Sequence, residues 1–338
     1  MESNKTLLDY LEARRGEFCS GEELADALGI TRAAVWKRIK ALEAKGLLIS
    51  AIPNRGYMLR RETDVTSVEG ISKYLHGAAT SLRLEVVDET GSTNLDLRER
   101  GERGEPGSLA LIARRQTAGR GRRGRRFFSP DSGVYLSLLL RPEETPATRA
   151  TRYTTVAGLA VCEAIEATSD APARIKWVND VLVRGRKVCG IMTEAQVGLE
   201  NGMLGYAVVG IGVNLYRPQG GYPEELRGIA GEVYESPRGD GKNRFVAELL
   251  NRFMSRLNAA DEQDDQNQYR RRLLAQGRVG TVCLPGGARR QARLLDVDEE
   301  YRLIVEYPDG TRATLSSGEV SVHPERAEDG TERKEQEE

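Results

Sequence analysis

The chain has 338 residues, 39% hydrophobic and 30% charged, with a formal net charge of -1. That is long enough for two or three folding units, and no apolar run approaches the roughly 20 residues that cross a bilayer, so a soluble protein without a membrane span is expected. Four scattered cysteines (Cys19, Cys162, Cys189, Cys283) without a CxxC pair argue for free, mostly buried thiols, and two histidines (His76, His323) remote from any Ser or Cys motif argue against a histidine base or a protein metal site.

The N-terminus has no uninterrupted apolar segment behind a basic start, so it does not read as a secretory signal, and the cytoplasm is the expected location. A helix is predicted near residues 4–13. Ser20 and Glu23 form a capping-box pattern ahead of Leu24, Ala27 and Leu28, and Gly29 breaks that helix. Thr31 caps the next, whose apolar face is Ala34, Val35, Ile39 and Leu42 up to Gly46. LLISAIPNRGYMLR then reads as two short strands around Pro53-Asn54-Arg55-Gly56, the wing of a winged helix-turn-helix unit over residues 1–62.

Residues 31–61 carry Arg32, Lys37, Arg38, Lys40, Lys45, Arg55, Arg60 and Arg61 against Glu43 alone. A basic face on such a unit favours DNA over a protein partner, with Arg32, Lys37, Arg38 and Lys40 on the recognition helix and Arg55 at the wing tip. Residues 66–270 alternate between strand-like runs (LRLEVVDE, SLALIARR, GVYLSLLL, RIKWVND, LVRGRKVCGIMTEAQ, GYAVVGIGVNL) and helical spacing around Asn94 to Arg100, Tyr153 to Ala167 and Asn243 to Leu257. This predicts an α+β domain with a mixed sheet, ended by the polar run from Asp261 to Gln268. Short strands with turns at Pro285-Gly286-Gly287 and Pro308-Asp309-Gly310 predict a small SH3-like β-barrel over residues 274–323, followed by a disordered tail, 324–338.

The sharpest chemical feature is the run from Gln116 to Arg126, QTAGRGRRGRR, followed by FFSP. It contains GxGxxG, but aromatic residues, a proline and another strand follow where a dinucleotide fingerprint would open a helix. It is not a Walker A loop. Glycines interleaved with arginines make a loop whose N–H groups and guanidinium forks close on a phosphate or carboxylate, unless the run is a solvated basic loop or a second nucleic-acid contact. Upstream, Gly91-Ser92-Thr93-Asn94 ends a strand and starts a helix, where Ser92 or Thr93 would serve as an N-cap or face a ligand. Downstream, Lys176-Trp177-Val178-Asn179-Asp180 leads into Arg184-Gly185-Arg186-Lys187.

STN, QTAGRGRRGRRFFSP, KWVND, GRKVCGI and GIGVN, in this order between a winged helix and a small β-barrel, resemble the biotin protein ligases that double as repressors of biotin genes. The resemblance runs from about residue 5 to 322. It implies a class II synthetase-like catalytic domain that joins biotin and ATP into biotinyl-5'-adenylate, releases pyrophosphate, and passes biotin to a lysine of a carboxylase's biotin carrier domain. It places Ser92, Thr93, Asn94, Gln116, Arg120, Gly121, Arg122 and Lys187 at the biotin and adenylate site, with Lys176, Asn179 and Asn214 in the same pocket. Lys187 would hold the carboxylate, Arg120 and Arg122 the charge growing on the α-phosphoryl group, with Mg2+ on the phosphates and Tyr222 stacked on adenine. It also implies operator DNA as partner, a homodimer in the adenylate-bound state, and an arginine loop that orders over ligand. Two departures from the family pattern are Val178, where proline is usual, and Gly91, where aspartate is common. A lipoate-protein ligase and a metabolite-sensing transcription factor without ligase activity are the rival readings.

Overall fold

Helical spacing governs most of the first sixty residues, and strands and helices share the remaining chain. The computed structural model describes residues 6–142, 145–198, 202–259, 261–274, 276–283, 288–316 and 321–324. The expected turn at Pro285-Gly286-Gly287 and tail residues 325–338 lie outside these. The first unit consists of α1 (Leu7–Ala13), α2 (Gly21–Leu28), α3 (Arg32–Ala44) and the hairpin β1 (Ile49–Ile52) and β2 (Gly56–Leu59). Leu7, Leu11, Leu24, Val35, Ile39 and Leu59 bury one face of each helix against the hairpin.

Thr31 caps α3 by accepting a hydrogen bond from the Ala34 amide at 3.2 Å, and Gly29 ends α2 at φ 61. Ser20 accepts from the Glu23 amide at 3.0 Å, but the Glu23 carboxylate turns to Arg14 rather than back to the cap, so half of the expected capping box forms. The full reciprocal box is at Thr6 and Asp9, ahead of α1. The wing is held by paired backbone bonds between Cys19 and Tyr57. Gly56, at φ +96, lies so close beneath that a Cβ would be 2.0 Å from the Cys19 carbonyl oxygen, and only glycine fits.

The second unit opens with a short helix that the sequence did not reveal, α4 (Val68–Ser72). Then come β3 (Arg83–Thr90), α5 (Thr93–Glu102), β4 (Leu109–Gln116), β5 (Val134–Leu140) and α6 (Ala150–Ser169). They are followed by β6 (Ala173–Lys176), β7 (Asp180–Val183), β8 (Arg186–Val197), β9 (Leu204–Val213), α7 (Gly241–Ala259) and α8 (Glu262–Arg272). The strands form one sheet in the order β3-β4-β5-β9-β8-β7-β6, with β3 parallel to β4 and the other pairs antiparallel, so the mixed sheet is as expected. Strand alternation sends Leu136, Leu138, Val209 and Ile211 into the core that α6 and α7 close. On the opposite face Leu111, Leu139, Tyr206 and Val208 pack on Leu97 of α5.

The polar run expected to end this region is instead α8. Asp261 caps it, accepting from the Asp264 amide at 3.0 Å; Tyr269 is fully buried and donates to the Val178 carbonyl at 3.1 Å; and Asp265 pairs with Arg256 of α7 at 2.7 Å. A helix whose inner side is one tyrosine and an ion pair leaves no apolar stripe to read.

The last unit is a five-stranded antiparallel sheet of β10 (Val279–Cys283), β11 (Arg289–Val297), β12 (Leu303–Glu306), β13 (Arg312–Leu315) and β14 (Ser321–Pro324), in the order β13-β12-β11-β10-β14. The runs GTVCLP, ARLLDVD, RLIVEYP and TRATLSS correspond to the first four of these strands, and β14 is a fifth beyond them. Cys19, Cys162 and Cys189 are free and buried, and the Cys283 side chain lies outside the described atoms. Among the described residues no helix is long and apolar enough to cross a membrane.

Charged side chains join the first two units. Buried Glu12 of α1 pairs with Arg15 at 2.7 Å and with Lys73 at 2.6 Å, and buried Asp240 pairs with the same two cations at 3.0 and 2.6 Å. The segment between the units is strapped residue by residue. The Thr63 carbonyl accepts from Asp240 N and Arg15, and the Asp64 carboxylate accepts from Tyr216 Oη at 2.6 Å and Lys242 N at 2.8 Å. The Val65 carbonyl accepts from Asn243 at 3.1 Å, and the Thr66 carbonyl from Arg114 at 2.9 Å.

Candidate active site

Past the residues that pack on Leu97, the row of β9 side chains that begins with Tyr206 and Val208 continues as Gly210 and Gly212, and a cavity of about 900 Å³ opens over them. Gly212 faces Gly190 across β8, and Gly210 faces Ser137 across β5, so the floor is nearly bare backbone. A Cβ at Gly210 would be 2.2 Å from Asn94 Oδ1, which makes glycine a requirement of the site rather than of the sheet.

One end of the cavity is polar and uncharged. Ser92 holds the N-cap position of α5 but makes no side-chain cap, so its buried hydroxyl is left facing the cavity. Gln116 Oε1 accepts from the Thr93 amide at 2.9 Å, and Gln116 Nε2 donates to Ser129 at 3.1 Å. Thr93 Oγ1 lies 2.8 Å from Ser137 Oγ, which donates to Asn94 Oδ1 at 2.9 Å; Asn94 Nδ2 donates to Glu194 at 2.8 Å. Ser92, Thr93, Asn94 and Ser137 are all buried. A chain of neutral donors and acceptors held this dry selects a guest with its own neutral donors and acceptors, because a mismatched guest leaves buried groups unpaired.

The other end is cationic. The arginine loop is a hairpin: Phe127 N donates to Gly119 O at 2.8 Å, Gly121 N donates to Arg125 O at 2.7 Å, and Arg120 bridges Arg126. Its GxGxxG letters open only a single 3-10 turn, Arg122–Gly124, consistent with the refusal of a dinucleotide fold. Arg120, Arg122, Arg125 and Arg126 of the loop face the cavity with Lys176, Lys187 and Arg278, and Asp180 is the one carboxylate in the lining among the described residues. Asp180 is engaged by Lys187 at 2.7 Å, and Arg122 donates to Asn179 Oδ1 at 2.9 Å. Asn179 Nδ2 in turn donates to the Ile191 carbonyl at 3.0 Å, which fixes the turn after the cis Trp177–Val178 peptide. Burial pushes the Tyr222 phenol up, so it stays protonated and donates to the Gly231 carbonyl at 2.9 Å. Among the described residues no cluster of three metal-ligating side chains exists.

Every residue expected at this site, from Ser92, Thr93, Asn94 and Gln116 through Arg120, Gly121 and Arg122 to Lys176, Asn179, Lys187, Asn214 and Tyr222, lines this single cavity. The sequence did not single out Ser137, Phe127 or Arg278. Ser137 had a signal, as the lone hydroxyl in the apolar strand VYLSLLL; Arg278 had none. A Cβ at Gly91 would meet nothing within 4 Å, so the departure there is not required by packing. Arg32, Lys37, Arg38 and Lys40 are exposed along α3, with Trp36 52% exposed among them. Arg55 is in the wing turn, its guanidinium 4.2 Å over the Phe18 ring.

Residues 85–214 match the biotin/lipoate A/B protein ligase family, and residues 4–58 match a helix-turn-helix domain family. The chain is 34% identical over 227 residues to the bifunctional ligase/repressor BirA of Bacillus subtilis, covering 67% of this chain and 69% of that one. It is 33% identical to a biotin–acetyl-CoA-carboxylase ligase of Mycobacterium tuberculosis, over 74% of this chain and 92% of that one. The biotin protein ligase of Aquifex aeolicus in complex with biotin and ATP superposes with a TM-score of 0.59 at 26% identity, covering 72% of this chain and 99% of the other. With a neutral cradle and a cationic pocket in one cavity, and relatives matched over most of their length, the chain belongs to the biotin protein ligase family, as a member that also carries a helix-turn-helix unit.

Proposed function

We infer that the protein is an ATP-dependent biotin protein ligase and a biotin-responsive repressor of biotin genes. The observation that carries the ligase half is the division of one cavity into a buried uncharged cradle and a cationic end with a single carboxylate among the described residues. The ureido ring of biotin is neutral and offers two N–H donors and a carbonyl, which Ser92, Thr93, Asn94 and Gln116 can satisfy. Its carboxylate then lies toward Lys187, and ATP fills the cationic end, with Asn214 and Lys176 beside it and Tyr222 stacked on adenine.

In the first step a carboxylate oxygen bonds to the α-phosphorus as pyrophosphate departs with the electron pair of the broken P–O bond. Arg120, Arg122 and Lys187 stabilise the charge of the transition state, and the backbone at Gly121 approaches the phosphate closely. Mg2+ enters as part of the nucleotide substrate, since the lining supplies one carboxylate, already paired with Lys187. In the second step the amine of a carrier-domain lysine attacks the acyl carbon of the mixed anhydride and AMP leaves. Neither step calls for a covalent enzyme intermediate.

The proposed division of labour is DNA binding in residues 1–62, catalysis in 66–270 and a small β unit in 274–323. Arg32, Lys37, Arg38, Lys40 and Arg55 contact operator DNA, and the adenylate-bound form pairs as a homodimer that presents two winged units, competing with the carrier domain for one sheet edge. Such a protein works in the cytoplasm, where ATP, carboxylases and the chromosome meet. The deciding experiment is adenylate formation by the purified protein with Mg-ATP and either biotin or lipoate, then addition of a biotin carrier domain. Biotinyl-adenylate and labelling of one carrier lysine are expected. Adenylate from lipoate alone would assign a lipoate ligase, and none from either acid would leave a metabolite-sensing DNA-binding protein.

A further inference from the structure

The neutral cradle rests on a hydroxyl from the middle of the sheet. Strand alternation on β5 sends Leu136 and Leu138 into the core under α6 and α7, and Ser137 and Leu139 toward α5. Ser137 is 0% exposed and lies beneath the first turn of α5, with Thr93 Oγ1 at 2.8 Å and Asn94 Oδ1 at 2.9 Å. Counting protons fixes which way each hydroxyl points. An amide oxygen can only accept, so the Ser137 proton goes to Asn94 Oδ1. The short contact between Ser137 and Thr93 then needs the Thr93 proton. Thr93 Oγ1 also lies 3.1 Å from Gln116 Oε1, but that oxygen is already served by the Thr93 amide at 2.9 Å. The protons therefore run one way, from Thr93 to Ser137 to Asn94. Asn94 does not reverse its amide, because Nδ2 donates to Glu194 at 2.8 Å.

We propose that Ser137 is a positioning residue that sets the polarity of the cradle: by taking the Thr93 proton and giving its own to Asn94, it leaves both neighbours to meet a guest as acceptors. The proposal rests on the ligase function above and deepens it. Asn94 Oδ1 lies over the bare backbone of Gly210, where a Cβ would be 2.2 Å away, so its second lone pair sits beside that of Thr93. Together they receive one ureido N–H of the guest. Ser92, which makes no side-chain cap, keeps its proton for the ureido carbonyl. A ring with oxygen in place of that N–H has the same shape, but it brings lone pairs against lone pairs in a buried site and is refused. Ser137 thus acts on specificity through its two neighbours, and the guest it selects is a cyclic urea rather than a cyclic carbamate.

The test uses the full chain, unsubstituted and with Ser137→Ala or Ser137→Thr. Calorimetry gives the affinity for biotin and for its two cyclic carbamate analogues, in which oxygen replaces one ring N–H or the other. The unsubstituted protein should bind one analogue at least about 100-fold more weakly than biotin, as a site built to receive an N–H rejects a ring without it. Alanine frees the Thr93 proton to turn toward the guest. Biotin should then bind roughly tenfold more weakly, and the ratio between biotin and the rejected analogue should shrink by about the same factor. Threonine keeps the hydroxyl and should restore the ratio; if it fails to fold, the alanine ratio decides alone. The KM for Mg-ATP in adenylation should stay within about twofold, since the cationic end is untouched. A serine that only fills space would weaken biotin and analogue alike. An unchanged ratio in Ser137→Ala therefore overturns the proposal, whatever the loss of affinity, and leaves the ligase function standing. Equal affinity of the unsubstituted protein for biotin and both analogues overturns it too. Failure of the unsubstituted protein to bind biotin removes the ligase function, and this proposal with it.

Discussion

The catalytic cavity and the junction between the first two units are built from the same side chains and use them in opposite ways. At the junction, Glu12 and Asp240 are buried and each is shared by Arg15 and Lys73, so two acids meet two bases and the cluster is neutral. In the cavity, Arg120, Arg125, Arg126, Lys187 and Arg278 share a lining in which Asp180 is the one carboxylate among the described residues. A charge balanced by the protein stabilises the fold, whereas a charge left unbalanced waits for a ligand to balance it. A substitution at the junction should therefore cost stability, and one in the cavity should cost activity.

The largest effect tests the cavity side. Lys187→Ala should lower adenylate formation by roughly 100- to 1,000-fold, the range for loss of one transition-state donor, with a nearly unchanged melting temperature. Pyrophosphate release and thermal denaturation on the same preparation check both halves, and an unchanged adenylate yield would sink the role given to this lysine.

Asp240→Asn is the mirror image. Asparagine tolerates the left-handed backbone at this position, φ 62, but leaves Arg15 and Lys73 undercompensated in a buried site. A loss of roughly 3 kcal/mol in denaturant unfolding is expected, with adenylation per folded molecule intact at low temperature. Equal loss of stability and activity would erase the distinction between the two clusters.

Salt separates a third kind of charge, the exposed bases of α3. Replacing Lys37 and Arg38 with glutamine should reduce the log–log salt slope of operator binding by about 1.8, or about 0.9 for each phosphate no longer neutralised, without touching adenylation. An unchanged slope would remove these two from the DNA interface.

The smallest effect is a pH dependence at the junction. Burial disfavours the Lys73 ammonium, but hydrogen bonds to Asp240 and Glu12 more than offset this and hold its pKa above the ordinary 10.5. The lysine binds its proton more tightly folded than unfolded, so its stabilisation is whole below about pH 10.5 and is lost as the pH climbs through the raised folded-state value. Lys73→Met should flatten the fall in stability above about pH 10.5 in denaturant titrations, and an identical alkaline limb would show the pair to be uncoupled.

Much of the fold was legible because local signals agreed with tertiary demand. Thr31, the apolar spacing through Val35 and Ile39, and the Pro53 to Gly56 turn each determine an element by themselves. The cavity residues were legible because motifs bunch them: Ser92 to Asn94 at one helix start, Arg120 to Arg126 in one loop. What stayed hidden depends on contacts between distant segments. α8 buries Tyr269 and an ion pair, so hydropathy reads it as a polar spacer. Arg278 reaches the cavity through the contact between Leu274 and Ile175, which no local pattern encodes. Ser137 was readable in principle, since a hydroxyl in the middle of a fully buried strand calls for a polar partner.

The strapped segment after the wing gives the DNA-binding unit a property that a loose tether would not. With Thr63, Asp64, Val65 and Thr66 each bonded to the catalytic unit, the recognition helix is held at a set distance and angle from the body of the protein. In an assembly of two copies, the gap between the two recognition helices would then be a rigid dimension, like the opening of a locked caliper. Inserting one base pair between two half-sites turns one of them by roughly a tenth of a helical turn. A locked caliper has no slack to follow that rotation, so such an assembly would discriminate between operators by the spacing of their half-sites.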